Sequence, residues 1–216
     1  MGVNQMYRLC LKRIFDMFFT LLALPLFIAI FVPVALLIKF EDGGPIFYCG
    51  KRVGKDKKNY KMYKFRSMKV DSPDIRNEDG STFNSNVDHR VTNIGKILRE
   101  TSLDETPQLL NVLKGDMSLI GPRPGLDSNL GSYREDELDK LKVRPGITGF
   151  TQAYYRNGIS NREKRIKDAW YANNVSLWLD LKIFFKTIST VAKREKLYNN
   201  DSNEAKNVEG RENANV

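Results

Sequence analysis

Residues 17–38 contain no charged side chain, and as a single helix they would extend about 33 Å, enough to cross the hydrocarbon core of a bilayer. A membrane segment is therefore the first expectation. A cleavable signal peptide fits less well, because the run exceeds an h-region and no small-residue cleavage site follows it. Pro25 and Pro33 lie inside it, and an interior proline removes a helical hydrogen bond and kinks the chain. Arg8, Lys12 and Arg13 precede the run, and Lys39, Lys51, Arg52, Lys55, Lys57 and Lys58 follow it. Positive charge on both flanks predicts that both ends face the cytoplasm. A re-entrant hairpin bent near Pro25 satisfies length, prolines and charge together, whereas a spanning helix satisfies only the length. Asp16, at the entrance, is expected to pair with Lys12 or Arg13.

The 216 residues suit one domain plus an appendage, and 41% hydrophobic content is enough for a core. A formal charge of +9 calls for an anionic partner: nucleic acid, a membrane surface or a phosphorylated substrate. Cys10 and Cys49 have no metal-site spacing and read as reduced thiols. The chain divides into an anchor at 1–40, a cytosolic domain at 41–198 and a polar, disordered tail at 199–216. Within the domain, 46–49 and 60–68 form a β-hairpin, and 70–86 is a surface loop. A short helix at 94–100 is expected to bury Ile94, Ile97 and Leu98, and a charged amphipathic helix covers 133–142. Residues 177–191 make an apolar, lysine-bearing helix that suits either a membrane interface or a core. His89, the one histidine, carries no metal or catalytic expectation.

Asp104 and Glu105 stand directly before a helix predicted at 107–114, with Thr106 as N-cap, Pro107 as first residue and Gly115 as the stop. The positive end of a helix favours an ionised carboxylate, so the pair reads as a nucleophile and its helper. It also reads as the end of a capping box, Ser102-x-x-Glu105, with no chemistry at all. Arg99, Arg123 and Arg144 surround the pair in sequence, the last two braced by prolines. Guanidinium groups match phosphate oxygens with paired hydrogen bonds.

The run LDETPQLLNVLKGDMSLIGPRP, preceded by YKFRSM and followed by KVRPGITG, resembles the bacterial sugar transferases, in particular the small PglC-like monotopic phosphoglycosyl transferases. The resemblance covers about residues 12–191. It implies an α+β fold: a helix-break-helix membrane hairpin joined to a small cytosolic α/β catalytic domain with interfacial amphipathic helices. The implied reaction moves a sugar 1-phosphate from a UDP-sugar to polyprenyl (undecaprenyl) phosphate with release of UMP, at the cytoplasmic face of the bacterial inner membrane. Asp104 matches the nucleophile and a Mg²⁺ ligand, and Glu105 its partner. Lys64, Arg66, Arg99, Arg123 and Arg144 are the implied phosphate-binding set. Leu24 stands where relatives often have Ser, Gly50 where they have Gln, and Tyr154 and Tyr155 where they have a smaller Gly-containing pattern. A one-step glycosyl transferase, releasing UDP, is the enzymatic alternative, and a non-catalytic basic membrane adaptor the other. No nucleic-acid module is recognisable.

Overall fold

The computed structural model describes residues 3–75, 88–156 and 158–193. The tail expected at 199–216 and most of the 70–86 loop lie outside them. A four-residue helix α1 (Val3–Met6) and a π-helical turn (Tyr7–Leu11) lead into α2 (Lys12–Asp42). Strands β1 (Phe47–Val53) and β2 (Asn59–Phe65) form the expected hairpin, and β4 (Gly125–Leu126) joins the free edge of β1. Helices α3 (Asn93–Thr101) and α4 (Gln108–Lys114) follow, joined by a 3₁₀ turn at Leu103–Glu105. Strand β3 (Ser118–Ile120) pairs in parallel with β5 (Gly146–Thr148). The rest is α5 (Glu135–Leu138), α6 (Phe150–Tyr154), α7 (Asn161–Asn173) and α8 (Leu177–Ala192).

Helix α2 is continuous through Pro25 and Pro33, so the break expected at Pro25 is not present. Tertiary packing explains why. Asp16, Thr20, Phe27, Val34 and Ile38 are buried at three- and four-residue spacing or its multiples, a single stripe that continues across both prolines. Phe27, Val34 and Ile38 share a core cluster with Phe65 and Leu98. The helix is tied at both ends: Arg13 donates to the Val112 carbonyl at 2.7 Å, and the Glu41 carboxylate accepts from Asn93 N at 2.7 Å. Thus α2 lies along the domain instead of projecting from it. Its other face is apolar and exposed, including Phe18, Leu22, Leu26 and Phe40. Among the described residues it is the one helix long and apolar enough to cross a membrane.

The partner expected for Asp16 also differs. Lys12 reaches Asp180 at 2.6 Å and Arg13 caps α4, while Asp16 accepts from Ser118 Oγ at 2.7 Å and Leu119 N at 3.0 Å. The π turn accounts for the first of these. Its wider winding brings residues five apart onto one side, so Tyr7 and Lys12 both donate to Asp180.

Ile97 was expected inside, yet it is 56% exposed. Helix α3 packs through Gly95, where a Cβ would lie 2.1 Å from the Ser67 carbonyl, and through Leu98 one turn on. That close approach turns Ile97 outward. The helix expected at 133–142 shortens to α5 and continues as a 3₁₀ turn at Asp139–Lys142. Helix α8 buries Asp180, Ile183 and Thr190 and exposes Trp178, Phe184, Phe185 and Ile188. Such a two-sided apolar helix suits a membrane interface, and its exposed rings resemble those of α2.

Candidate active site

Helix α3 ends at Ser102, whose φ of 59° is left-handed, a conformation costing a side-chain-bearing residue roughly 1 kcal/mol. The chain then makes the Leu103–Glu105 turn that carries both carboxylates. The capping reading fails on geometry. Neither Ser102 nor Pro107 makes a side-chain cap, Thr106 Oγ1 donates back to the Leu103 carbonyl, and α4 begins at Gln108. Its stop is as expected, with Gly115 at φ 92°. Glu105 turns instead to Lys64, whose Nζ lies 2.5 Å from its Oε1 and 3.8 Å from Asp104 Oδ2.

The hairpin delivers that lysine. Asn111 of α4 donates to the Lys61 carbonyl at 2.7 Å and accepts from Tyr63 N at 2.9 Å. This clamp fixes β2 against α4 one residue before Lys64, and Val112, Met117 and Met62 fill the space behind it.

The two carboxyls are pushed apart. Burial raises Asp104 to about 6, with a further push from Glu105, against the pull of Lys64, Arg99 and Arg123. Burial acts on Glu105 as well, but Lys64, Arg123 and Arg156 outweigh it and hold that group below its ordinary range. Adjacent acids with opposed shifts mark division of labour. Near neutral pH, Asp104 is a basic, poorly solvated carboxylate and Glu105 a permanent anion paired to Lys64.

Of the expected cations, Lys64, Arg99 and Arg123 gather at the pair. Arg99 Nε donates to Ser67 Oγ at 3.0 Å. Arg123 is held by its backbone N, which donates to buried Asp168 at 3.1 Å, and its side chain is exposed. Arg66 borders the same cleft but is committed to the fold: its guanidinium grips both oxygens of Asp42 and donates to the Pro45 carbonyl. Arg144 lies elsewhere. Its Nε donates to the Gly115 carbonyl at 2.9 Å, beyond the far end of α4. Arg156, with a left-handed φ of 46°, was missed by the sequence reading and acts on Glu105. Its place directly after the Tyr154–Tyr155 pair was the available signal.

A cleft of roughly 1750 Å³ passes over the site. Lys64, Arg99 and Arg123 line it together with Phe19, Phe184 and Phe185 from α2 and α8. One cavity thus offers cations for phosphates and rings for an aliphatic chain. Tyr154, Tyr155 and Trp170 group around Phe150, with Phe150 and Trp170 ring centroids 5.1 Å apart. Among the described residues no three His, Cys, Asp or Glu side chains cluster as metal ligands, and His89 is exposed.

Comparison with known proteins supplies the family. The model of the bacterial sugar transferase family matches residues 7–194. The chain is 41% identical over 187 residues to the UDP-N-acetylgalactosamine-undecaprenyl-phosphate N-acetylgalactosaminephosphotransferase of Aeromonas hydrophila, covering 84% of this chain and 43% of that protein. It is 39% identical over 203 residues to the undecaprenyl-phosphate galactose phosphotransferase of Salmonella typhimurium, covering 87% and 42%. Against the exopolysaccharide production protein ExoY of Rhizobium meliloti the identity is 41% over 191 residues, covering 83% and 84%. The chain thus spans less than half the length of the first two relatives and most of the third. With a match that takes in α2, the carboxylate pair and α8 alike, the chain belongs to the bacterial sugar transferase family.

Proposed function

We propose that the chain transfers a sugar 1-phosphate from a UDP-sugar to polyprenyl phosphate, undecaprenyl phosphate in bacteria, and releases UMP. The observation that carries this reading is the pairing of a buried, basic Asp104 with the Lys64–Glu105 ion pair in a cleft both cationic and apolar. The names of the relatives agree with it. In the first step an Asp104 oxygen bonds to the donor's β-phosphorus as the bond to the bridging oxygen of UMP breaks. In the second, an oxygen of the lipid phosphate attacks that phosphorus and Asp104 leaves as a carboxylate. Lys64, Arg99 and Arg123 hold the diphosphate, and Glu105 keeps Lys64 in place. Mg²⁺ is commonly held by one or two carboxylates plus substrate phosphates, so Asp104 with the donor's oxygens fits it without a protein cage. When bound, it would neutralise diphosphate charge. A panel of UDP-sugars with undecaprenyl phosphate tests the reading: UMP is the expected nucleotide product, and UDP would mean a one-step glycosyl transferase.

The same proposal predicts a pH profile. Only ionised Asp104 attacks, so the lipid-independent first step should rise about tenfold per pH unit below pH 6 and level off above about pH 7. Rapid-quench measurement of UMP release across pH 5 to 8 checks this; a flat profile would mean that Asp104 is already ionised at pH 5 in the donor complex, against its raised position.

For topology, we propose that residues 1–40 serve as an anchor embedded from the cytoplasmic side of the inner membrane, with the unbroken α2 entering it by its exposed apolar face and 41–198 as the catalytic domain. Contacts of both helix ends with one domain support a single-sided placement. Cys10 and Cys49 flank α2 and are exposed. A membrane-impermeant maleimide should modify neither in intact spheroplasts and both after the membrane is opened. Modification of Cys10 in intact spheroplasts would establish a spanning helix.

A further inference from the structure

We propose that Asp16, in the membrane helix, is a positioning residue for Arg123, so that the anchor is a working part of the donor site as well as a tether. The inference rests on Arg123 as a ligand of the donor diphosphate. Strand β3 leads straight into Gly121, Pro122 and Arg123. On one edge it is paired to β5, with Ser118 N donating to Pro145 O and Gly121 N to Thr148 O, each at 2.9 Å. Gly121 is pressed so close to that segment that a Cβ would lie 2.5 Å from the Arg144 carbonyl. Across from this pairing, where another strand would ordinarily lie, the Asp16 carboxylate takes Leu119 N and Ser118 Oγ.

Asp16 is only 5% exposed, and a buried carboxylate with two hydrogen-bond donors and a short side chain tolerates little displacement. Tyr171 links the other membrane-facing helix to the same strand, since its hydroxyl contacts the Ile120 carbonyl at 3.3 Å and Asp180 of α8 at 2.6 Å. At the far end Asp168 fixes Arg123 N and is itself held by Lys140 and Thr151. Asp16 of α2 therefore holds the strand directly, Asp180 of α8 acts on it through Tyr171, and Asp168 of α7 holds the Arg123 backbone three residues beyond its end. A shift of α2 against the domain moves β3, and Arg123 with it.

Asp16→Ala strips Leu119 N of its acceptor and leaves Ser118 Oγ only the Ile120 carbonyl, 2.9 Å away within the same strand, whereas Asp16→Asn leaves one oxygen for Leu119 N and an amide that Ser118 Oγ can accept from. The test measures donor KM, kcat and vesicle flotation for both variants, with UDP-sugar and undecaprenyl phosphate, in wild-type and Arg123→Ala backgrounds. Expected are a donor KM at least tenfold higher in Asp16→Ala with a smaller change in kcat, recovery to within threefold in Asp16→Asn, and unchanged flotation. In the Arg123→Ala background, Asp16→Ala should add less than twofold. A normal donor KM in folded Asp16→Ala, or a full tenfold effect without Arg123, overturns the inference. Should Asp16→Ala not fold, Ser118→Ala decides by the same measure, with a threefold rise in donor KM expected and none overturning the inference. If Arg123→Ala alone turns over normally, it is the donor-binding reading that fails, and the two failures are thereby distinguished.

Discussion

Asp104→Asn should abolish both UMP release and covalent labelling of the protein by a UDP-sugar labelled in its sugar, while raising stability at neutral pH. Loss of turnover by more than a thousandfold is expected, because the amide keeps the shape but has no anionic oxygen to attack phosphorus. The stability effect has the opposite sign from a lost cap. In the folded protein Asp104 titrates near 6, above the unfolded value of about 3.9. Its ionisation therefore opposes folding: stability is fully present below about pH 4, falls as pH rises through 6, and stays lower beyond. A neutral side chain removes that cost, of order 3 kcal/mol. Thermal unfolding at pH 7.5 should show a higher midpoint, and at pH 4 little change. A cap would lose about 1 kcal/mol on substitution and leave chemistry intact. An Asp104→Asn protein that turns over normally would sink the covalent mechanism.

The carboxylate pair was legible in the sequence because its residues are neighbours in the chain and the motif around it is contiguous. Lys64, Arg99 and Arg123 were legible for a related reason: each sits beside a rigid local element, whether strand, helix end or proline turn. The fates of Arg66 and Arg144 were not. Their sequence settings resemble that of Arg123, and only the fold brings Asp42 to one and the Gly115 carbonyl to the other. The same holds for Asp16, whose partner Ser118 is 102 residues away. Charge pairing by proximity in sequence points to Lys12 or Arg13, but a strand edge with an unmet N–H competes better for a buried carboxylate. The prolines of α2 show a local rule overridden: each disfavours the helix, yet the stripe from Asp16 to Ile38 pays for both through packing against the domain.

Lys64→Met should lower turnover at pH 7 by roughly a hundredfold, and part of that loss should return on raising the pH. Two effects compete, and they separate by pH. The ammonium lies 3.8 Å from Asp104 and 2.5 Å from Glu105. At an effective dielectric near 20 a charge at the Asp104 distance is worth about 4 kcal/mol, or roughly three pH units on Asp104. Without it both carboxyls become harder to ionise, and repulsion between them is no longer offset. The midpoint of the first step should then move from about 6 to 8 or above. At pH 7 most of the nucleophile would be protonated, and by pH 9 that component should shrink to about twofold. Whatever deficit persists beyond it at pH 9 measures the second effect, the loss of a cation facing the donor's diphosphate, which no change of pH restores. Methionine keeps length and apolar volume, so the hairpin and the Asn111 clamp should survive, as thermal unfolding can verify. If Lys64→Met retains a midpoint near 6, the lysine does not govern the pair, and the electrostatic account of the site is wrong even should the rate fall.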